Sequence, residues 1–306
     1  MRLTKPMIRA FEYAVRGENT LARLAKALNC SISWADMVVN SLEKEGFITR
    51  KGNYSIKGSR IIFEIANTPH ALKMNELFFQ YPGISFEEIL ADSKLLFLSA
   101  ISEDWMDIET AVELSKTSKF MIDRYMRQLK NRGVVTKSKQ LYKLNEKAWP
   151  VLKDFLIAYR NYSEISGNVK WKYNEEVLFE VNNENSLQGS STGFYKYKEH
   201  GMKMGLVSML CLLPERKLSK EEIFVHSLFE IKDTRTLHLA LVFYIKNKMK
   251  YSKVMPIAMK YGKYSLFENV TKILNTKEEK LKFENMPEFD RKELLRIAQI
   301  YGVKNV

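Results

Sequence analysis

Displacing the 306-residue chain against itself by 87 residues brings Ser31 onto Ser118, Asp36 onto Asp123, Leu42 onto Leu129, Gly46 onto Gly133 and Thr49 onto Thr136. Apolar positions follow the same displacement: Leu21 onto Ile108, Leu24 onto Ala111, Ala25 onto Val112, Ala35 onto Ile122, Val39 onto Met126, and Phe47 and Ile48 onto Val134 and Val135. One structural unit therefore occurs twice. Two copies are fewer than the three or more that a stacked solenoid needs, so the first half reads as a tandem pair of small domains. The length leaves room for a further one.

In the first copy, Thr20 is placed to cap LARLAKAL, whose apolar residues at 21, 24, 25 and 28 follow a helical period. A turn at Asn29-Cys30-Ser31 leads to a second helix over about 32–45, which turns Ala35, Val39 and Leu42 inward and stops at Gly46. Two short strands follow, FITRK and YSIK, around Gly52-Asn53. The second copy repeats this with a helix over 107–115, a turn at Lys116-Thr117, a helix over 118–131, a stop at Gly133 and the hairpin VVTKSKQLYKL. Helix, tight turn, helix, hairpin is the element order of a winged helix-turn-helix, whose second helix enters the major groove of duplex DNA.

The segments SISWADMVVNSLEKEGFITRKGNYSIK and SKFMIDRYMRQLKNRGVVTKSKQLYKL resemble the winged-helix modules of bacterial and archaeal transcriptional regulators, over about residues 1–62 and 84–146. The resemblance implies sequence-specific binding of double-stranded DNA and a role in transcription regulation. Winged helices also serve as protein-docking modules, so the fold alone does not decide between these roles.

Charge bears on the choice. The chain carries 49 Lys and Arg against 36 Asp and Glu, a net charge of +13, which favours a polyanionic partner. Residues 68–113 hold two basic and nine acidic residues, whereas 116–143 hold nine basic residues and one acid, Asp123. With Ile122, Met126 and Leu129 facing inward, Lys119, Phe120, Arg124 and Arg127 fall on the outward face of the second helix, and Lys137, Lys139 and Lys143 on the hairpin. Arginine there suits phosphates or guanine edges; lysine on a wing suits the phosphate backbone. In the first copy the corresponding candidates are Ser33, Trp34, Met37 and Asn40 on the helix and Arg50, Lys51 and Lys57 on the hairpin. Its helix face has no basic residue before Lys44, and Trp34 and Met37 equally suit a protein contact. Between the copies, TPHALKMNELFFQYP reads as a packing helix with a stripe of Leu72, Leu77, Phe78 and Tyr81, a spacer or a homodimer contact.

Beyond a linking helix from Pro150 the pattern changes. VKWKYNEEVLFEV alternates as strands do, NNENSLQGSSTG reads as a loop, FYKYKEHG as a short helix and GLVSMLCLLP as a buried strand. Helices are expected over about 219–230, 234–248, 251–261, 264–275 and 288–301. The expected fold is mainly α with small β: winged helix 1 over 1–66, a connecting helix over 67–83, winged helix 2 over 84–146 and an α+β C-terminal domain over 147–306. Helix 149–161 has a second assignment, on the second winged helix, through Leu152, Phe155, Leu156 and Tyr159.

Several chemistries find no pattern here. Two cysteines, Cys30 and Cys211, and four scattered histidines offer no metal or redox spacing, and no phosphate-binding glycine loop is present. Glu215, Glu221, Glu222, His226, Asp233, Arg235 and His238 lie close in sequence, but the acids sit at helix starts and the histidines among apolar residues. The reading is therefore of a non-enzyme without cofactor. Arg9, Glu12 and Arg16 interrupt any leader-like apolar run, and the longest apolar uncharged stretch, Met204 to Pro214, has eleven residues, too short to cross a bilayer. A cytoplasmic protein with no membrane partner is expected. Finally, ERKLSKEEIFVHSL, TLHLALVFYIKN and VMPIAMKYGKYSLFENVTKIL resemble, over about 100 residues, the C-terminal domain of AbiEi-type antitoxins. This implies an alternative: an antitoxin or assembly protein whose C-terminal domain binds a partner such as a nucleotidyltransferase toxin, its winged helices regulating the operon. Those antitoxins carry one winged helix where this chain has two.

Overall fold

The computed structural model describes residues 3–51, 62–162, 168–182, 189–205 and 209–303. The chain is mainly helical with small antiparallel sheets. It divides into two compact units, Met1–Glu103 with Ala111–Tyr162, and Asp104–Thr110 with Ser163–Val306.

The repeat is visible bond by bond. The first copy runs α1 (Lys5–Val15), α2 (Leu21–Leu28), α3 (Ile32–Lys44), β1 (Ile48–Lys51) and β2 (Ile62–Ile65). Next come α4 (Pro69–Gln80) and the short α5 (Phe86–Leu90). The second copy runs α6 (Ser93–Ala100), α7 (Ile108–Ser115), α8 (Lys119–Asn131), β3 (Val135–Ser138) and β4 (Leu141–Leu144), and ends in α9 (Pro150–Asn161). The Ser31 hydroxyl accepts from Trp34 N at 3.2 Å and Ser118 from Met121 N at 3.4 Å, so both longer helices are capped alike. Gly46 N donates to Glu43 O and Gly133 N to Lys130 O, each at 2.9 Å; Phe47 N donates to Leu42 O and Val134 N to Leu129 O, again at 2.9 Å. Both glycines have positive φ, +74° and +65°, where an L side chain is strained. The displacement of 87 also carries α1 onto α6.

The repeat extends further than the sequence comparison indicates. α4 and α9 are equivalent trailing helices at a displacement of 81, a difference the loops absorb. Residues 71, 74 and 78 of α4 and 152, 155 and 159 of α9 are buried at matching positions. The Thr68 hydroxyl donates to Gly46 O at 2.7 Å, and the Trp149 indole, 81 residues on, donates to Gly133 O at 3.1 Å. The two helices pack on each other, with the Phe47 ring 4.5 Å from His70, 6.1 Å from Tyr159 and 6.5 Å from Phe155. The expected boundary at 146/147 therefore moves: α9 is core to the first unit, and the division falls after Tyr162. The expected α4 stripe is also corrected. Ala71, Met74, Leu77 and Phe78 face inward, whereas Leu72 and Phe79 are exposed.

The second unit is built on a four-stranded antiparallel sheet, β5 (Asn168–Tyr173), β6 (Glu176–Val181), β7 (Ser190–Thr192) and β8 (Met209–Leu213), in the order β5-β6-β8-β7. β7 lies where a loop is expected. Serine and threonine carry little strand signal, and the pairing of Ser191 with Cys211 is set by the neighbouring strand. Val177, Phe179, Val181, Met209 and Cys211 form one cluster on this sheet. A 3-10 helix over Gly193–His200 precedes β8. The helices α10 (Lys220–Ser227), α11 (Thr234–Lys246), α12 (Tyr251–Lys260), α13 (Tyr264–Asn275) and α14 (Arg291–Ile300) follow the expected spans to within a few residues. A two-residue pair, β9 (Lys280–Leu281) with β10 (Phe289–Asp290), lies between the last two.

Candidate nucleic-acid interface

α8 is amphipathic in the expected sense. Ile122, Tyr125, Met126 and Leu129 are buried, and the Tyr125 hydroxyl is fixed by Ser93 Oγ at 2.7 Å. That orientation leaves Lys119, Phe120, Asp123, Arg124, Arg127 and Lys130 exposed on the other face, with Phe120 at 72%. Arg124, Arg127 and Lys130 form no ion pair among the described residues. Lys137 and Lys139 are exposed on the hairpin; Lys137 lies over its cross-strand neighbour Tyr142, the ammonium 5.3 Å from the ring centroid. Lys116 and Arg132, not singled out from the sequence, add exposed cations just before and after the helix.

Lys143 departs from the expectation. It is half-buried and its ammonium is 2.8 Å from Glu146 Oε1, while Lys153 pairs with the other oxygen of that carboxylate. Burial works against the Glu146 carboxylate, but the hydrogen bonds and charges of the two lysines outweigh it and hold its pKa below the ordinary value. Lys143 is thus part of an internal ion cluster tying β4 to α9.

The same positions in the first copy carry different chemistry. Lys119, Phe120, Arg124 and Arg127 correspond to Ile32, Ser33, Met37 and Asn40, all exposed, with Met37 at 60% and Ile32 at 57%. Asn40 donates to Asp36 Oδ2 at 3.3 Å, and Trp34 is half-buried. Arg50 is not available to a partner. Its side chain is 9% exposed, and it pairs with Asp36 Oδ1 at 2.9 Å and with Glu43 Oε2 at 3.2 Å. Lys51 pairs with Glu64 at 2.5 Å. Lys57 lies outside the described residues. In the second copy Arg50 is replaced by the exposed Lys137 and Glu43 by Lys130, so the carboxylate that neutralises the first copy's hairpin becomes a cation in the second. The acids of α5 serve the first helix: Lys5 pairs with Glu88 at 2.6 Å and Arg9 with Glu87.

The polar cluster of the second unit is tied into the fold. Glu222 completes the capping box with Ser219 and pairs with Arg216 at 2.7 Å; Asp233 caps α11. His226 is wholly buried, its Nδ1 2.8 Å from the Thr192 hydroxyl, and burial lowers its pKa to about 3. His238 Nε2 accepts from Asp290 N at 3.2 Å. Glu221 is buried, while Glu215 and Arg235 are exposed. Among the described residues no three His, Cys, Asp or Glu side chains are grouped to hold a metal ion, and no helix is long and apolar enough to cross a membrane. No family model, curated protein or solved structure matches this chain.

Proposed function

We propose that the first unit is a tandem pair of winged helices and that the chain is a sequence-specific, double-stranded DNA-binding regulator, reading DNA through its second copy. The observation that carries this is the contrast between equivalent positions. The first copy's hairpin arginine is neutralised by two carboxylates, whereas the second copy presents Arg124, Arg127, Lys130 and Lys137 to solvent. A helix face that presents Arg124, Arg127 and Lys130 without ion-pair partners among the described residues suits phosphate contact and base-edge reading. The role proposed is binding rather than catalysis, and it leaves the first copy as a companion with a neutral, partly apolar helix face.

Fluorescence anisotropy on duplexes recovered from a genomic selection tests this. Affinity of the full chain should fall steeply with salt. Arg124→Ala or Arg127→Ala should cost about 1–3 kcal/mol on the selected site and less on random duplex. Arg50→Ala should leave DNA affinity nearly unchanged while lowering fold stability by roughly 1–2 kcal/mol, since its carboxylate partners are partly solvated and lose only part of an ionic hydrogen bond. Equal loss of DNA binding from Arg50→Ala and Arg124→Ala would contradict the division between the copies.

A further inference from the structure

Helices that end in the left-handed region of backbone space do so at glycine after α1, α3, α8, α12 and α14, and at Asn29 after α2. Glycine and asparagine are the residues that tolerate this conformation. Lysines break the pattern at three places: Lys116 after α7 (φ +50°), Lys139 in the hairpin of the second copy (φ +53°), and Lys248 after α11 in the other unit (φ +48°). Two of the three flank α8. Lys116 stands at the repeat position that Asn29 occupies in the first copy, so the tolerant residue is known to fit that turn and is not used.

Both positions are held firmly. Around Lys116, buried Thr117 donates to Ser115 O at 3.1 Å, Ser115 Oγ donates to Ala111 O at 2.6 Å, and Ser118 caps the next helix. Lys139 and Gln140 form a two-residue loop between paired Ser138 and Leu141, with positive φ at the first residue only. That is the turn geometry in which the first central residue is ordinarily glycine. Both lysines are exposed, and neither forms an ion pair among the described residues. Strained backbone persists where the surroundings over-determine it, and it collects at working sites.

We propose that Lys116 and Lys139 are anchors for the phosphodiester oxygens of duplex DNA, one in the turn before α8 and one at the hairpin tip after it. The strained backbone fixes the direction in which each lysine side chain leaves the main chain, and the ammonium reaches a phosphate from there. The inference rests on the DNA-binding reading above and deepens it: register on the duplex is set at these two points, and α8 reads between them.

The test uses the full chain with Lys116→Gly, Lys139→Gly, the double variant, and Lys139→Arg as a charge-preserving control. Thermal unfolding and duplex binding over a salt series are measured for each. Relief of strain should raise the melting temperature of both glycine variants. Binding should weaken on every duplex alike, and the slope of log K against log salt should fall by up to about 0.9 per lysine removed. Lys139→Arg should keep the parental slope. Glycine variants that are more stable yet bind with the parental slope would overturn the anchors while leaving the DNA reading intact. Glycine variants with no gain in stability would overturn the strain argument. A parent chain whose duplex binding does not depend on salt would overturn the DNA reading and the anchors with it.

Discussion

Glu230 shows how one residue can be set against its environment. Its carboxylate is half-buried beside Gly193, whose missing side chain leaves room for it, and accepts a hydrogen bond from Phe194 N at 2.8 Å. Burial raises its pKa to about 7, Glu180 adds to the rise, and the Phe194 amide and nearby Lys232 and Lys170 oppose it. The folded state therefore keeps a proton that the unfolded chain releases near the ordinary value of 4.5. The stability this contributes is complete below pH 4.5, declines as pH rises, and is gone above pH 7. Glu230→Gln, neutral throughout, should be more stable than the parent at pH 8 by on the order of 2 kcal/mol, after allowance for partial solvation. The gap should close near pH 4.5. Urea denaturation of both proteins at the two pH values checks this, and a gap independent of pH would show that the carboxyl is not the titrating group.

At the scale of elements, the trailing helix α9 decides where the first unit ends. It buries Leu152, Phe155, Leu156 and Tyr159, each worth about 1.5–3 kcal/mol of apolar transfer, a sum comparable to the stability of a whole domain. A fragment ending at Glu146 should aggregate through the surface left bare around Phe47 and His70. A fragment ending at Tyr162 should unfold cooperatively. Within it, the amides of 104–110 should exchange fast, because these residues belong to the second unit, where Ser265 N and Oγ hold Asp104 at 2.6 and 2.5 Å, and the fragment lacks that partner. Hydrogen exchange on the two fragments separates these outcomes. The helices and the second hairpin were legible from the sequence because capping serines, stop glycines and apolar periods are local signals; in the first copy the second strand was expected at YSIK, which lies outside the described residues, and the strand that pairs with β1 is Ile62–Ile65. The assignment of α9 was legible only as one of two alternatives, since Leu152 and Phe155 state that a face is buried and not against what. The neutralisation of Arg50 was not read from the sequence, although Asp36 and Glu43, seven residues apart on one helix face, carry it. A charge count sees Arg50 and Lys137 as equals; only the fold shows that one is consumed.

Over the whole molecule the excess of positive charge is shared almost evenly. Residues 1–162 hold 25 basic and 18 acidic side chains, and residues 163–306 hold 24 and 18. Net charge thus selects neither half, and long-range attraction to a polyanion belongs to the chain as a whole. What distinguishes the second copy is local pairing. On the DNA-binding reading proposed above, the packing of α4 on α9 also limits how far one chain reaches along a duplex. Because those helices join the two copies within one unit, the first copy would not swing out to a neighbouring half-site, and its own helix face has no cation before Lys44 to hold one. A single chain should then leave a short footprint in a hydroxyl-radical protection experiment, with one major-groove entry and no second patch a helical turn away. A protected region spanning two turns would have to come from a second molecule arriving on the same stretch of DNA, and its appearance would then depend on protein concentration.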